Sequence, residues 1–465
     1  RARINFSPNN RPGTVELSGL SLREAPAEGL PKAETLEEAN VALRASGGTA
    51  SVARDYWSFL VETERETTRT MRRFLKETLG VQALVYDTQA GYGQVAGLFR
   101  EGSLSDLVDD HGYWEHPSFP GGDWDPGNWT IRNVSQVGAK TGGTLADLAM
   151  RRVAGKPFTV SEYNIPSPND HAAEALPMLA AFAAFQDWDA LYAYTYVDFS
   201  REWAADHLLR YFDFCGHAGK LVFAPLAARA FRSGLVAPGR TPVTLTLPGE
   251  AASYLAAGKG NVWDLWETGG MPPSASAMRR MQVKLAPGAG GVPSASERVS
   301  PSGASASDTN ELFWDPDSSQ PLFAVSAPAF RMLAGAVSAR KVPLGDVTLE
   351  FGKLGFDYAC FALVALDDRP VAESQRLLVA LASRVENQGM TWNADRSSVG
   401  RGWGKGPTIA EIVPATLTLP GTGWKAESLD GFGAPAATLP VESSGGATRI
   451  RLNDSHPSLW YSLSR

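Results

Sequence analysis

The amino-acid sequence predicts a mixed chain, with an α/β first half followed by an all-β second half. Within residues 52–240, helical periods alternate with short apolar strands such as 83–86 and 157–160. The remaining residues alternate between apolar and polar side chains, as in 243–247 and 415–419. Polar residues follow each strand of the first half. These observations predict strand–helix units in series and then a β-sandwich.

Composition and charge place the chain among globular proteins. It has 465 residues, of which 43% are hydrophobic and 20% charged, and about 150 residues per domain would make two or three domains. A net charge of −7 argues against a nucleic-acid partner, because such a partner requires a basic surface. No apolar run is long enough for a membrane span. Two cysteines, Cys215 and Cys360, are too few for a disulfide framework.

Residues 1–45 are predicted to be the end of a separate β-sandwich, a candidate carbohydrate-binding module, with a linker. The alternation at 14–22 lies between turn residues and is typical of a strand. Because one hairpin is not stable alone, we expect further strands upstream. The chain starts at Arg1 with no initiator Met or signal peptide, so we expect a processed protein or part of a longer polypeptide.

Four strand–helix units are predicted within residues 46–240. The first helix runs from about Asp55 to Gly80. The strands that follow are expected at 83–86, 107–108, 157–164 and 190–196, and the later helices at 145–153, 176–186 and 226–232. Consecutive units of this kind form parallel strands with right-handed crossovers. In a (β/α)₈ barrel the carboxyl ends of the strands form the catalytic face, and four units would be half of such a barrel.

Residues 241–465 are predicted to form an accessory β-sandwich. A stretch rich in Gly, Pro and Ser near 286–309 is expected to be a flexible loop within it.

An isolated carboxylate ends the strand in residues 155–164. Apolar residues lead into Ser161, Glu162, Tyr163 and Asn164, and a charge at the end of a buried strand is costly unless it is paired or used. Two interpretations remain open on the pattern alone. Glu162 is either a catalytic residue or a salt-bridged residue that closes the strand.

At this point the sequence resembles a known family. The segments that carry the resemblance are Gly155-Lys156-Pro157, Ser161-Glu162-Tyr163-Asn164, residues 186–189 and residues 194–196. They resemble strands seven and eight of clan A glycoside hydrolases, closest to bacterial cellulase-family proteins of the glycoside hydrolase family 5-like type. Residues 110–117 resemble the sixth strand and 83–89 the fifth, while 387–390, Trp392 and 402–404 resemble the β-rich tail. The resemblance covers about residues 50–465 and implies strands five to eight of a TIM barrel.

The resemblance implies retaining hydrolysis of a β-linked poly- or oligosaccharide by two carboxyl groups about 5–5.5 Å apart. Glu162 matches the nucleophile of the family. The family acid/base is the Glu of an Asn-Glu pair that ends strand four, whereas Asn310-Glu311 lies in the predicted sandwich. We therefore expect strands one to four and the acid/base to lie outside this chain. We also expect no cofactor, and a secreted or periplasmic location in a bacterium.

Seven residues are candidates for binding the sugar: Gln89, His111, Tyr113, Trp114, Asn164, Tyr196 and Asp198. His111 and Tyr113 are two residues apart and so share one side of a strand. Trp114, Trp124 and Trp129 lie on a loop that either stacks on sugars or packs on itself. The eighth strand ends in Tyr196-Val197-Asp198, where the family commonly has a Trp.

Metal binding is not expected, because the candidate histidines match no known ligand spacing: His111, His116 and His171.

Three functions remain open from the sequence. They are a retaining hydrolase, a transglycosylase with the same residues, and a non-catalytic carbohydrate-binding protein on an incomplete barrel. A second carboxylate facing Glu162 would favour an enzyme, and the candidates within the chain are Asp87, Asp110, Glu115 and Asp198. The residues do not favour a particular sugar, linkage or oligomeric state.

Overall fold

A computed structural model of the chain describes residues 33–35, 37–41, 50–122, 124–198, 201–300 and 303–465. The strand predicted at 14–22 lies outside these described residues. Within them the α-helices are α1 (Ala50–Arg73), α2 (Val95–Leu104), α3 (Gly143–Ala149), α4 (Ala175–Phe185), α5 (Ala218–Leu221), α6 (Ala224–Arg232), α7 (Ala251–Ala256) and α8 (Val262–Thr268). None of these helices is both long and apolar enough to cross a bilayer.

The α/β part contains a parallel sheet of β1 (Val108–Tyr113), β2 (Phe158–Asn164) and β3 (Ala190–Ala193), in that order. Helices α3 and α4 lie in the two crossovers, at nearly the positions that the helical periods predict. Apolar side chains such as Val108 and Phe158 pack against the helices. The opposite face of the sheet is polar, and it carries the candidate site.

The predicted strand at 83–86 does not form, so the described part of residues 46–240 contains three parallel strands rather than four, and the described residues form no barrel. The segment makes a reciprocal contact instead. The Val85 N–H donates to the Asp106 carboxylate and the Asp106 N–H to the Val85 carbonyl, both at 2.9 Å. An apolar run of four residues is compatible with a strand, but a strand also needs a continuous partner. The helix before it ends close to the predicted Gly80, through a π-helical turn at Phe74–Thr78.

The sandwich does not begin at residue 241 as predicted. β4 (Pro242–Pro248) and β5 (Arg280–Ala286) pair in parallel, and β6 (Ser294–Ala295) pairs antiparallel with β4. Helices α7 and α8 form the crossover. The alternation at 243–247 shows only that one face of the strand is buried, and it does not distinguish this βααβ unit from a sandwich.

The remaining strands, of which all but β15 and β16 form two sheets compatible with the predicted sandwich, are β7 (Ser305–Ala306), β8 (Leu312–Asp315), β9 (Leu322–Ala327), β10 (Phe330–Gly335), β11 (Lys341–Leu344), β12 (Val347–Phe351), β13 (Ala359–Ala365), β14 (Arg376–Ala382), β15 (Val385–Gln388), β16 (Lys405–Ala410), β17 (Ala415–Pro420), β18 (Lys425–Leu429), β19 (Pro435–Leu439), β20 (Val441–Ser444), β21 (Ala447–Leu452) and β22 (Trp460–Ser464). A nine-stranded antiparallel sheet has the order β19-β18-β22-β14-β13-β10-β9-β8-β7, and a five-stranded sheet has the order β11-β12-β17-β21-β20. β15 and β16 form a separate hairpin. β6 and β7 lie within the stretch that the sequence predicts to be a flexible loop.

The nine-stranded sheet joins the two parts of the molecule. Every residue of β13 is buried. Phe361 and Leu363 belong to the core between the two sheets of the sandwich, whereas Ala362 and Val364 belong to the core shared with the helices. Because both faces are covered, the strand is apolar throughout rather than alternating. The α/β part therefore packs against one face of this sheet.

Candidate functional site

Glu162 lies near the carboxyl end of β2, on the polar face of the parallel sheet. The Tyr113 hydroxyl donates a hydrogen bond to its Oε2 atom, and Nδ1 of His111 lies 3.3 Å from the same oxygen. The side chain of Glu162 is 29% exposed and that of His111 is 25% exposed. Gln89 is adjacent, with its Nε2 atom 3.1 Å from His111 Nδ1. The structure thus brings together four of the residues that the sequence singles out.

The other ring nitrogen of His111 is connected to the buried Asp109 through Ser161. Its Nε2 atom lies 2.9 Å from Ser161 Oγ, and Ser161 Oγ lies 2.6 Å from an oxygen of Asp109. Thr159 donates to the second oxygen of that carboxylate. Burial raises the pKa of Asp109, while the hydrogen bonds from Ser161 and Thr159 act in the opposite direction. Polar groups therefore connect Asp109 to Glu162 through Ser161 and His111.

Glu101 lies behind this row, on α2, and is fully buried. Its Oε2 atom accepts the backbone N–H of Asp109 at 2.8 Å, and its Oε1 atom has no hydrogen-bond partner among the described residues. Burial raises the pKa of Glu101 to about 8, and the negative charge of Asp109 adds to the effect. The sequence analysis missed Glu101, and the available signal was a carboxylate inside an apolar helix.

Tyr113 keeps its proton because burial raises the pKa of its phenol, and the hydrogen bond to Glu162 raises it further. The negative charge of Asp198 raises the pKa of Tyr113 as well, and also that of Tyr194. Asp198 is therefore electrostatically coupled to the site. Tyr113 acts as a permanent hydrogen-bond donor to Glu162.

Asn164 lies inside the protein rather than on the open face. Its amide donates to the carbonyl oxygens of Tyr194 and of Phe212, the latter at 2.8 Å. Its Oδ1 atom accepts from Lys220 Nζ, also at 2.8 Å. Burial lowers the pKa of Lys220 to about 7. Asn164 and the unpredicted Lys220 thus hold the chain that follows β3 against the end of β2.

The predicted aromatic contacts separate into packed and exposed rings. Trp114 is buried, and its indole N–H donates to the Val134 carbonyl at 2.9 Å, so the structure places it in the core. Trp129 is also buried and stacks on Trp403 with ring centroids 5.7 Å apart. In contrast, Tyr196 is 43% exposed and stacks on Trp203, which is 66% exposed, with centroids 6.1 Å apart.

Trp124 is the exposed tryptophan of the 114–129 loop. It contacts His116, with centroids 5.9 Å apart, and Phe212 at 6.0 Å. Both of these rings also contact Tyr113, at 5.5 and 5.3 Å. A continuous aromatic wall therefore runs from the phenol that holds Glu162 to an exposed indole.

Three of the proposed second carboxylates are in ion pairs. Asp87 pairs with Arg100, Asp110 with Arg151 and Glu115 with Arg132. Of the carboxylates predicted to face Glu162, Asp198 is the one whose charge reaches Tyr113. In the described part of the chain, no group of three or more His, Cys, Asp or Glu side chains is arranged to hold a metal ion.

Comparison of the chain with protein-family models, with curated proteins and with solved structures finds no match in any of the three.

Proposed function

We propose that the protein is a retaining glycoside hydrolase acting on β-linked poly- or oligosaccharides, with Glu162 as the nucleophile. The observation that carries the proposal is the environment of Glu162. Its partners among the described residues are a phenol and an imidazole rather than a guanidinium or an ammonium group. A carboxylate that merely closes a strand is expected in an ion pair, as Asp110 is with Arg151. A partly exposed carboxylate that accepts a hydrogen bond from a phenol and lies in no ion pair with Arg or Lys among the described residues is suited to attack.

The proposed reaction begins with Glu162 attacking the anomeric carbon. The Tyr113 hydroxyl holds Oε2, which leaves Oε1 to form the bond to carbon as the bond to the leaving oxygen breaks. The resulting glycosyl ester is then hydrolysed by water. The leaving group needs a proton from a second carboxyl group, which the resemblance places on a strand outside this chain. Asp198 is the candidate within it, because its charge reaches the site.

Sugar binding is proposed along the exposed rings. Tyr196 and Trp203 form a stacked pair close to Asp198 in the chain, and Trp124 ends the aromatic wall. Exposed flat rings beside polar groups suit the faces and hydroxyls of pyranoses. The scaffold of three parallel strands in sequential order is proposed to be part of a TIM barrel. A polysaccharide substrate would favour a secreted or periplasmic location.

The test uses 2-deoxy-2-fluoro glycosides with a dinitrophenolate leaving group, in gluco, manno, galacto and xylo forms. Such a leaving group departs without a proton, so the nucleophile is tested independently of the acid. The expected result is release of dinitrophenolate and a covalent glycosyl ester on Glu162, located by peptide mass spectrometry. Glu162→Gln should lose the label, and Glu442→Gln, which alters an exposed carboxylate paired with Arg451, should keep it.

No label from any of the four sugars, or equal labelling of Glu162→Gln, would overturn the assignment of Glu162. The alternative function is carbohydrate binding without cleavage, and the exposed Tyr196–Trp203 pair favours it equally. That function predicts oligosaccharide affinity that Trp203→Ala reduces and Glu162→Gln leaves unchanged, without covalent labelling.

A further inference from the structure

Two side chains, those of Asp109 and Ser161, form a row that ends at His111, beside the candidate nucleophile. Asp109 is fully buried, whereas Ser161, which precedes Glu162 in the chain, is partly exposed. Their arrangement determines which nitrogen of His111 carries a proton.

We propose that Asp109 and Ser161 hold His111 in one tautomer, with the proton on Nε2, so that the unprotonated Nδ1 faces Glu162 and the Tyr113 hydroxyl is left to hold the nucleophile. The inference rests on the proposed function for the role of Glu162. The tautomer itself follows from the hydrogen bonds alone.

The donors can be counted along the row. An ionised carboxylate only accepts hydrogen bonds, and a serine hydroxyl has one proton to donate. Asp109 takes that proton, because Ser161 Oγ lies 2.6 Å from its oxygen. Toward His111, at 2.9 Å, the Ser161 oxygen is therefore an acceptor, and Nε2 must carry the hydrogen. Neutral His111 then has a lone pair on Nδ1.

Two groups meet that lone pair. The Gln89 amide nitrogen lies 3.1 Å from Nδ1 and donates to it, and Glu162 Oε2 lies 3.3 Å away. With His111 neutral, no proton lies between Nδ1 and Glu162, and Tyr113 alone holds the carboxylate. In the other neutral tautomer, Nδ1 would carry the proton, donate it to a hydrogen bond with Glu162 and make that carboxylate a weaker nucleophile.

The titratable groups around the His111 imidazole come from four segments. Asp109 and Tyr113 lie on β1 with His111, and Glu162 lies on β2. Glu101 on α2 binds the backbone of Asp109. Tyr86 lies on the irregular segment. Burial and the charge of Asp109 raise the pKa of its phenol, while Ser161 lowers it. The carboxylates Asp109 and Glu162 lie on opposite sides of the imidazole, so the ring is flanked by negative charge.

The experiment is nitrogen NMR of the full chain labelled with ¹⁵N-histidine. The sequence has six histidines, and comparison with His111→Gln assigns the His111 signals. At alkaline pH the wild type should show a protonated Nε2 and an unprotonated Nδ1. Ser161→Ala should lower the ratio of the two tautomers roughly tenfold, because Nε2 loses its acceptor. Ser161→Thr keeps the hydroxyl and should keep the ratio.

Thr159→Val is the matched control, since Thr159 binds the same carboxylate but does not contact His111. It should leave the tautomer unchanged. A wild type with its proton on Nδ1, or a Ser161→Ala spectrum with an unchanged ratio, would overturn the proposal. The wild-type spectrum alone decides the matter if Ser161→Ala does not fold.

The labelling of Glu162 by fluoroglycosides separates this proposal from the proposed function. The labelling rate should fall in Ser161→Ala, which admits the tautomer with Nδ1 protonated, and should be retained in Ser161→Thr. A single tautomer without any labelling would count against the glycosidase and for the proposed control of the His111 tautomer. Normal labelling with an unchanged tautomer in Ser161→Ala would count against that control alone.

Discussion

Replacing Glu101 by Gln should change how the stability of the protein depends on pH. Glu101 is fully buried, with one oxygen bound to the Asp109 N–H and the other without a partner among the described residues. Gln has the same shape, and its Oε1 atom can accept the same N–H. The substitution therefore removes the ionisation with little change in packing.

The magnitude follows from the pKa of Glu101, which burial raises from 4.5 to about 8. Between these values the folded chain keeps a proton that the unfolded chain releases, so the group stabilises the fold fully below pH 4.5 and ceases to do so as pH rises to about 8. At about 1.4 kcal/mol per pH unit, the loss is about 5 kcal/mol. Because Gln does not titrate, Glu101→Gln should gain that much stability relative to wild type.

The assay is urea unfolding of both proteins at pH 5, 6, 7, 8 and 9, with the free energy of unfolding compared at each pH. The difference between variant and wild type should grow steadily up to about pH 8 and then level off. Glu297→Gln, which alters a carboxylate on the surface paired with Arg279, should show no such growth. A constant difference for Glu101→Gln across the range would refute the reasoning.

Two further substitutions probe buried charges that support the site. Arg151→Ala leaves the buried Asp110 without its 2.9 Å partner and should cost about 3–5 kcal/mol in urea unfolding at pH 7; no recovery in Arg151→Ala/Asp110→Asn would contradict this. Lys220→Met removes a buried ammonium group whose pKa burial lowers from 10.5 to about 7. The unfolded chain binds the extra proton between these values, so wild-type stability gains from Lys220 as pH rises from 7 to 10.5. Thermal unfolding should show that gain in wild type and not in Lys220→Met, and equal slopes would exclude the buried-lysine explanation.

Local sequence patterns predict the structural features that depend on residues close together in the chain. The helical periods correctly place α3 and α4 to within a few residues, and the alternation at 415–419 correctly places β17. Glu162 is predicted at the end of a strand, and His111 and Tyr113 on one side of another. These predictions succeed because backbone geometry repeats every 3.6 or 2 residues, and the side chains that share a face follow directly from it.

Contacts between distant segments decide the features that the sequence analysis missed. Asn164 was predicted to bind substrate, yet the carbonyls of Tyr194 and Phe212 draw its amide inward. The row from Asp109 to His111 requires residues about fifty positions apart, on two strands, in one register.

The sequence by itself determined the positions of α3, α4 and α6 to within a few residues, which strands bury one face, and that Glu162 stands at a strand end. Only the tertiary structure decided that 83–86 finds no strand partner, that 243–247 joins a βααβ unit, and that the register shifts between Asp110 and His111. The physical reason is that the backbone N–H and C=O groups along the edge of a strand can pair with any extended segment. Which segment fills that edge depends on the packing of the whole chain, and a shift of one residue reverses the face to which every side chain points.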